Sequence, residues 1–367
     1  MTIQENIPLA PLTTLQVGGS ARYFTEARSE DDVREAVAFA KARGLPIFVL
    51  GGGSNLVVAD AGWPGLVLKI AIAGIESSEG ANDGETRLFH AGAGVNWDDF
   101  VALAVAENCS GVECLSGIPG SVGGTPVQNV GAYGQEVAES IESVVAFDLR
   151  DDRGNDRVVT LTSAQCGFHY RSSIFNRAEG SEGKGERGRY IILQVSFRLR
   201  LGGTPALKYA DLQKHFAGAN RAPTLSEVRE AVRQIRRSKG MLIVPGDADS
   251  KSVGSFFKNP VLGDAQLKDL TARAEERGLH APAYPAAPSS LKTAQHKVSA
   301  AWLVEHSGFE KGMRLGRAGI SSKHALALIN AGQARATDII DLKSAIQDGV
   351  ERTWGVRLEP EPVLVGF

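Results

Sequence analysis

The sequence predicts an α+β protein of two principal domains, a β-rich half reaching to about residue 205 and an α+β half from about 220 to 352. Three observations carry this. At 367 residues the chain is longer than the roughly 100–200 residues usual for one domain. Up to about residue 200 the text is mostly short β-branched and apolar runs, among them GLVLKI, TRLFHAGAG, SVVAFDLR and YIILQVSFRLRL. Beyond about residue 220 the composition shifts toward helix.

The elements follow in order. EDDVREAVAFAKAR, residues 30 to 43, sets Val33, Ala36, Val37, Ala40 and Lys41 in a helical rhythm, with acids at its start and Gly44 past its end. LPIFVLGGGSNLVVAD places two short extended runs around a glycine triplet, and DDFVALAVAEN interrupts the later strands as a helix. EGSEGKGERG, around residues 180 to 189, reads as a polar hairpin tip. TLSEVREAVRQIRRSKG opens with a Thr-x-x-Glu capping box and carries Val228, Ala231, Val232 and Ile235 on one face. A second α/β unit follows, with VSAAWLVEHSG and SSKHALALINAG. DIIDLKSAIQDGVERTWG is the last helix and VRLEPEPVLVGF a closing strand, expected to return to the first half.

Composition excludes several classes. Hydrophobic content of 43% and charged content of 22% belong to a globular protein with a large core. A net charge of -2 without a long basic run argues against nucleic acid as a partner. The N-terminus lacks a basic region followed by an apolar stretch, and no run approaches the roughly 20 apolar residues of a membrane helix. Cys109, Cys114 and Cys166 form no CxxC pair and read as reduced, packed cysteines of a cytoplasmic protein. None of the seven histidines forms an HxxxH or HExxH pair, so no metal site is expected.

Gly51, Gly52, Gly53, Ser54 and Asn55 directly follow the apolar strand LPIFVL. Glycines tolerate positive φ and let backbone N–H groups approach an anion, so this loop can cradle a pyrophosphate or make a tight structural turn. A Rossmann fingerprint fails on context, because LVVAD continues as an extended run where a helix should open. A second cluster, SGIPGSVGG from Ser116 through Gly117, Ile118, Pro119, Gly120, Gly123 and Gly124, shifts the balance toward a cofactor. It runs on to QNVGAYG with Asn129, Gly131, Ala132, Tyr133 and Gly134, a stretch nearly free of charge that suits a large planar cofactor.

Together LGGGSN, SGIPGSVGG and QNVGAYG resemble the flavin domain of vanillyl-alcohol-oxidase-type flavoproteins, and most closely the UDP-N-acetylenolpyruvoylglucosamine reductase family. The resemblance continues in register through CGFHYRSSIF, LKYADL, SVGSFFKNP and LEPEPVLVG, so it covers essentially the whole chain. It implies an FAD-binding domain over residues 1–205 in two α+β subdomains, with a boundary near 75. A separate α+β substrate-binding domain over 220–352 and a C-terminal segment over 353–367 complete the chain. It further implies noncovalent FAD, since GGGSN has no tethering histidine, NADPH as reductant, and a monomer that reduces the enolpyruvyl nucleotide in cytoplasmic peptidoglycan precursor synthesis.

The same resemblance points to residues. Hydride addition at the enolpyruvyl methylene pushes charge into the carboxylate and leaves the ether carbon needing a proton, so the site requires a cation and an acid. Arg171 in YRSSIF matches the enolate stabiliser, Ser255 in GSFFKNP the proton donor and Glu361 in LEPEP the catalytic glutamate. Tyr170, Tyr209, Lys239, Asn259 and His324 are the expected substrate contacts, Tyr209 marking the longer subclass whose tyrosine-bearing segment folds over the nucleotide. By residue type alone, Arg171 reads as a surface arginine, Ser255 as a turn serine, Lys239 as a helix C-terminal lysine and His324 as a helix-surface histidine. Two other functions remain open at this level: an FAD-dependent alcohol or sugar oxidase, and a flavin- or nucleotide-sugar-binding protein without turnover.

Overall fold

The first helix, Glu30–Ala42, forms because Ser29 and Asp32 make a reciprocal capping box at its start while Gly44 takes φ +62 past its end. Its buried stripe is Val33, Ala36, Val37 and Ala40. It belongs to a computed structural model that describes residues 1–80, 84–150, 157–178, 186–285 and 295–367. Most of the expected hairpin tip at 180–189 therefore lies outside the described residues.

Contacts divide the chain into two units. The first comprises Met1–Ile7, Ala21–Gly53 and Pro64–Arg237, the second Pro8–Ser20, Ser54–Trp63 and Ser238–Phe367.

Among the described residues the first unit holds two large sheets, besides the short pair of Gly131–Ala132 with Gln135–Glu136. One runs in the order Gln4–Pro8, Ser20–Ala27, Trp63–Ile70, Ile47–Leu50, with the last two strands parallel. The other runs Val158–Thr162, Ile141–Asp148, Tyr190–Leu201, Thr86–Gly92, Ile75–Glu79, antiparallel throughout. Tyr190–Leu201 is long because β-branched and aromatic residues repeat along it. Helix Trp97–Ala106 starts at Asn96, whose side chain accepts from Asp98 N and Asp99 N, and stacks Trp97 and Phe100 near Phe197. One hydrophobic core includes Val33 and Leu66 from around the first sheet together with Phe89 and Phe197 of the second.

Helix Leu225–Ser238 differs from expectation. The sequence suggested that it opens the substrate-binding half, but all of it up to Arg237 belongs to the first unit. Its stripe of Val228, Ala231 and Val232 is covered by Cys114, Tyr133 and Leu212, which fixes its allegiance.

The second unit has a sheet in the order Ser252–Ser255, Ala327–Asn330, Ala318–Ile320, Arg314–Leu315. A smaller one runs Val261–Gly263, Gln295–Val298, Ala283–Pro285. Helices Asp264–Glu275, Ala300–Glu305 and Ala336–Trp354 enclose Phe256, Phe257, Leu328, Ile346 and Trp354. The closing strand is shorter than the sequence suggested, only Val363–Val365, because Pro360 and Pro362 cannot donate to a ladder. It pairs parallel with Leu56–Val58, a segment early in the sequence that belongs to this second unit. No described helix is long and apolar enough to cross a membrane.

Candidate active site

The predicted site residues divide between the two units. In the first unit Gly51–Gly53 leave strand Ile47–Leu50 and meet the second glycine segment. A Cβ on Gly52 would lie 2.5 Å from Gly120 Cα and 2.6 Å from Gly120 C, and one on Gly51 would lie 2.9 Å from Ser121 Oγ. The two backbones thus touch where only glycine fits. Gly53, Gly117 and Gly120 take φ +66, +70 and +135.

The N–H groups of Gly117, Gly123 and Gly124 are committed to Asp98 Oδ1, Ala93 O and Ser121 O, and Ser116 Oγ donates to Glu113 O. Ser121 Oγ is buried with no hydrogen-bond partner among the described residues. A hydroxyl left so at the edge of a glycine cradle is a donor awaiting a ligand. The cradle and this orphan hydroxyl fit the pyrophosphate of a dinucleotide cofactor. Ile118 and Pro119 lie half-buried between the two ends of this loop.

QNVGAYG folds tightly against YRSS. Asn129, Tyr133 and Arg171 are non-glycine residues at φ +46, +49 and +52, backbone strain of the kind that gathers at functional sites. Arg171 Nη2 donates to Gly131 O at 2.6 Å, and its guanidinium lies 5.4 Å from the Tyr170 ring centroid. Arg171 O accepts from Asn176 Nδ2 at 3.1 Å, which helps hold the strained residue. Asn129 spends its side chain inside the fold, donating to Glu136 Oε2 and His169 O and accepting from Ala138 N. Its backbone is engaged too, N donating to Pro126 O at 3.4 Å and O accepting from Arg171 Nη1 at 3.5 Å, so Asn129 braces the loop from within. Ala132 is half-buried, and Gly134, at φ +83, is exposed. Tyr209 is 43% exposed and sets its ring at 84° to that of Tyr133, 5.4 Å away.

Sequence reasoning missed a charged group beneath SGIPG. Asp98 accepts Gly117 N and both guanidinium nitrogens of Arg229, at 2.6, 2.6 and 3.0 Å, and pairs with Arg233 as well. Burial alone would raise the Asp98 carboxyl, but the Arg229 fork, the Gly117 N–H and the charges of Arg229 and Arg233 hold it below the ordinary range. Arg236, one turn further on, is buried and donates from Nε to Gly117 O at 3.1 Å. The signal was present: Arg229, Arg233 and Arg236 are spaced four and three apart, one helical face.

In the second unit Ser255 ends strand Ser252–Ser255, opposite Ala327 and just after Gly254 at φ +75. Glu361 N donates to Phe256 O at 2.8 Å and Lys258 N to Glu359 O at 3.0 Å. The LEPEP segment is therefore paired along GSFFKNP, and Glu361 stands across from the residue next to Ser255. Asn55 Nδ2 donates to Glu361 O at 3.3 Å, and Val363 N to Asn55 O at 3.0 Å. So Asn55 holds the glutamate-bearing segment. Ser54 O accepts from Thr14 Oγ1 at 3.5 Å. Asn259 Oδ1 accepts from Ala300 N at 2.9 Å, tying it to the start of helix Ala300–Glu305.

His324 Nδ1 accepts from Leu326 N at 3.0 Å, which makes the neutral ring a donor through Nε2. Burial, with Lys239 and Lys311 nearby, pushes its pKa down to about 4. Lys239 is half-buried. The cysteines are buried, and burial pushes the Cys166 thiol up to about 12 and Cys114 further, so they are inert.

This fold and cradle define an FAD-binding flavoprotein: residues 21–155 match the family model described as FAD binding domain, and 246–365 that of the UDP-N-acetylenolpyruvoylglucosamine reductase C-terminal domain. The chain belongs to the UDP-N-acetylenolpyruvoylglucosamine reductase family. It is 43% identical to the reductase of that name from Thermobifida fusca, over 98% of this chain and 97% of the relative. It is 42% identical to that of Streptomyces avermitilis, over 98% and 94%. It is also similar to the crystal structure of the Thermus caldophilus reductase, with 25% identity, TM-score 0.63, and 99% and 100% of the two chains covered.

Proposed function

We propose that this chain reduces UDP-N-acetylenolpyruvoylglucosamine to UDP-N-acetylmuramate at the expense of NADPH, in cytoplasmic peptidoglycan precursor synthesis. The observation that carries the proposal is the pairing of GSFFKNP with LEPEP, which puts Ser255 and Glu361 on adjacent, hydrogen-bonded segments in a chain that also keeps the FAD cradle. An oxidase or an inert binder has no use for that pair.

Gly51–Gly53, Gly117–Gly120 and Ser121 would hold FAD noncovalently, with Gly131 and Ala132 offering backbone and Asn129 bracing the loop that carries them. The chemistry FAD would supply there is hydride transfer, from NADPH to the enolpyruvyl methylene. The protein supplies the rest. Arg171, its guanidinium aimed by the Gly131 carbonyl, takes the substrate carboxylate and stabilises the charge that develops there. Ser255 delivers the proton to the ether carbon. Glu361, carried on the segment paired beside it, orders the group or water that lets the hydroxyl give up a proton. His324 donates from a neutral ring, while Lys239 contributes charge to the nucleotide diphosphate. Tyr170, Tyr209 and Asn259 complete the substrate contacts.

Purified protein, yellow with FAD that is released intact on denaturation, is mixed with NADPH with and without the enolpyruvyl nucleotide. Rapid NADPH oxidation should require the nucleotide. Oxidation that depends only on oxygen, or a colourless protein that takes up no FAD, overturns the reading.

A further inference from the structure

In the first unit Glu113 is fully buried, and three N–H donors from three segments converge on its carboxylate. Gly111 N donates to Oε2 at 2.7 Å, the Gln135 side chain to Oε1 at 2.8 Å and Ala206 N to Oε1 at 3.0 Å. Gln135 is itself fixed, accepting from Cys114 N at 2.8 Å. Ala206 is caught twice, because its carbonyl also accepts from Cys114 Sγ at 3.3 Å. Three residues beyond Ala206 comes Tyr209, resting edge-on against Tyr133. The segment between them passes so close to Gly134 that a Cβ there would lie 2.9 Å from Lys208 Cβ.

We infer that Glu113 is a positioning residue for substrate binding: its carboxylate pins the 204–209 strap to the Tyr133 loop and so holds Tyr209 ready for the nucleotide. This rests on the proposed role of Tyr209. A buried carboxylate is costly unless each oxygen is satisfied, and here the strap supplies one of the three bonds. Docking the strap is thus coupled to solvating or satisfying that charge. Glu113 touches no reacting atom in this scheme and acts only through Tyr209.

Glu113→Gln keeps the size but places an NH2 against at least one of the three N–H donors, whichever way the amide turns. Ala206→Pro removes only the strap's donor and leaves the bonds to Gly111 and Gln135 in place. Both variants are made in the full-length holoprotein, and two quantities are read. The first is the rate of tryptic cleavage after the exposed Lys208 without substrate. The second is KM for the enolpyruvyl nucleotide against kcat and against the rate of flavin reduction by NADPH.

A lost hydrogen bond to a charged group should open the strap by about 10- to 100-fold, so cleavage quickens and KM rises by about that factor. Flavin content, kcat and the NADPH step should stay near wild type. If Glu113→Gln does not fold, Ala206→Pro decides alone. Wild-type cleavage and KM in the variants overturn the inference. Flavin loss with unchanged cleavage does so too, by making Glu113 a support of the SGIPG loop. Because the tryptic readout needs no substrate, and wild-type turnover is measured alongside, failure here is distinct from failure of the reductase reading.

Discussion

Gly52→Ala tests whether the contact between the two glycine segments is what holds FAD. The new methyl would sit 2.5 Å from Gly120 Cα, 2.6 Å from Gly120 C and 2.9 Å from Ser121 N, all backbone atoms that cannot rotate aside. Ordinary contact begins near 3.4 Å, so the segments must part by close to an ångström. Overpacking of this kind costs about 1–3 kcal/mol. The free protein relieves it by letting the loops separate, but a cradle that must keep its spacing around a pyrophosphate cannot. The strain then appears in binding, as an FAD affinity about 5- to 150-fold weaker. Fluorescence titration of the apoprotein with FAD measures this directly. Gly124→Ala is the control, because its Cβ would meet only Ser121 Oγ at 3.9 Å and leave the free protein unstrained. Wild-type FAD affinity in Gly52→Ala would refute the cradle.

Arg171→Lys should retain FAD but lose turnover by about 10²- to 10³-fold, because an ammonium cannot bond the Gly131 carbonyl and fork onto a carboxylate at once; steady-state rates near wild type would remove Arg171 from the reacting carboxylate. His324 predicts a pH effect on stability. Its folded pKa of about 4 lies below the unfolded 6.5, so the unfolded chain binds the extra proton first and stability falls as pH drops through that window. Between pH 7 and pH 5 the loss is about 2 kcal/mol, measured by urea unfolding, and His324→Gln should abolish that part. Asp98 acts in a lower window: its folded pKa is depressed, so the stability it contributes is present above the unfolded carboxylate value and lost as pH falls through the folded one. Asp98→Asn should therefore flatten the acid limb of the stability curve below about pH 4 without altering the His324 window.

How much of this was legible in sequence depended on range. Glycine clusters and the helix at 30–43 are local signals, and the structure keeps them where the text puts them. The return of the closing strand to a segment some 300 residues earlier was expected, but that this segment, Leu56–Val58, itself groups with the second unit was not legible, because only long-range pairings fix it. The same holds for the Ser255–Glu361 neighbourhood, made by LEPEP lying along GSFFKNP. Motif membership also hid how side chains are used. Asn129 and Asn259 both spend side-chain capacity inside the protein, on the 136–138 turn and on the helix at Ala300. The Asp98 clamp could have been suspected from the arginine spacing in REAVRQIRR, but its carboxylate lies more than a hundred residues earlier, and nothing local links the two.

The central claim is that this chain protonates an enolpyruvyl substrate from Ser255 while flavin carries the hydride. Rapid-mixing absorbance of the flavin separates the halves: reduction by NADPH, then reoxidation by the enolpyruvyl nucleotide without oxygen. Wild-type protein should show both, and Ser255→Ala should keep the first while slowing the second by about 10²- to 10⁴-fold, the usual contribution of a general acid. Ser255→Cys should recover part of the second rate. An unchanged second half in Ser255→Ala, or equal slowing of both halves, would contradict the account.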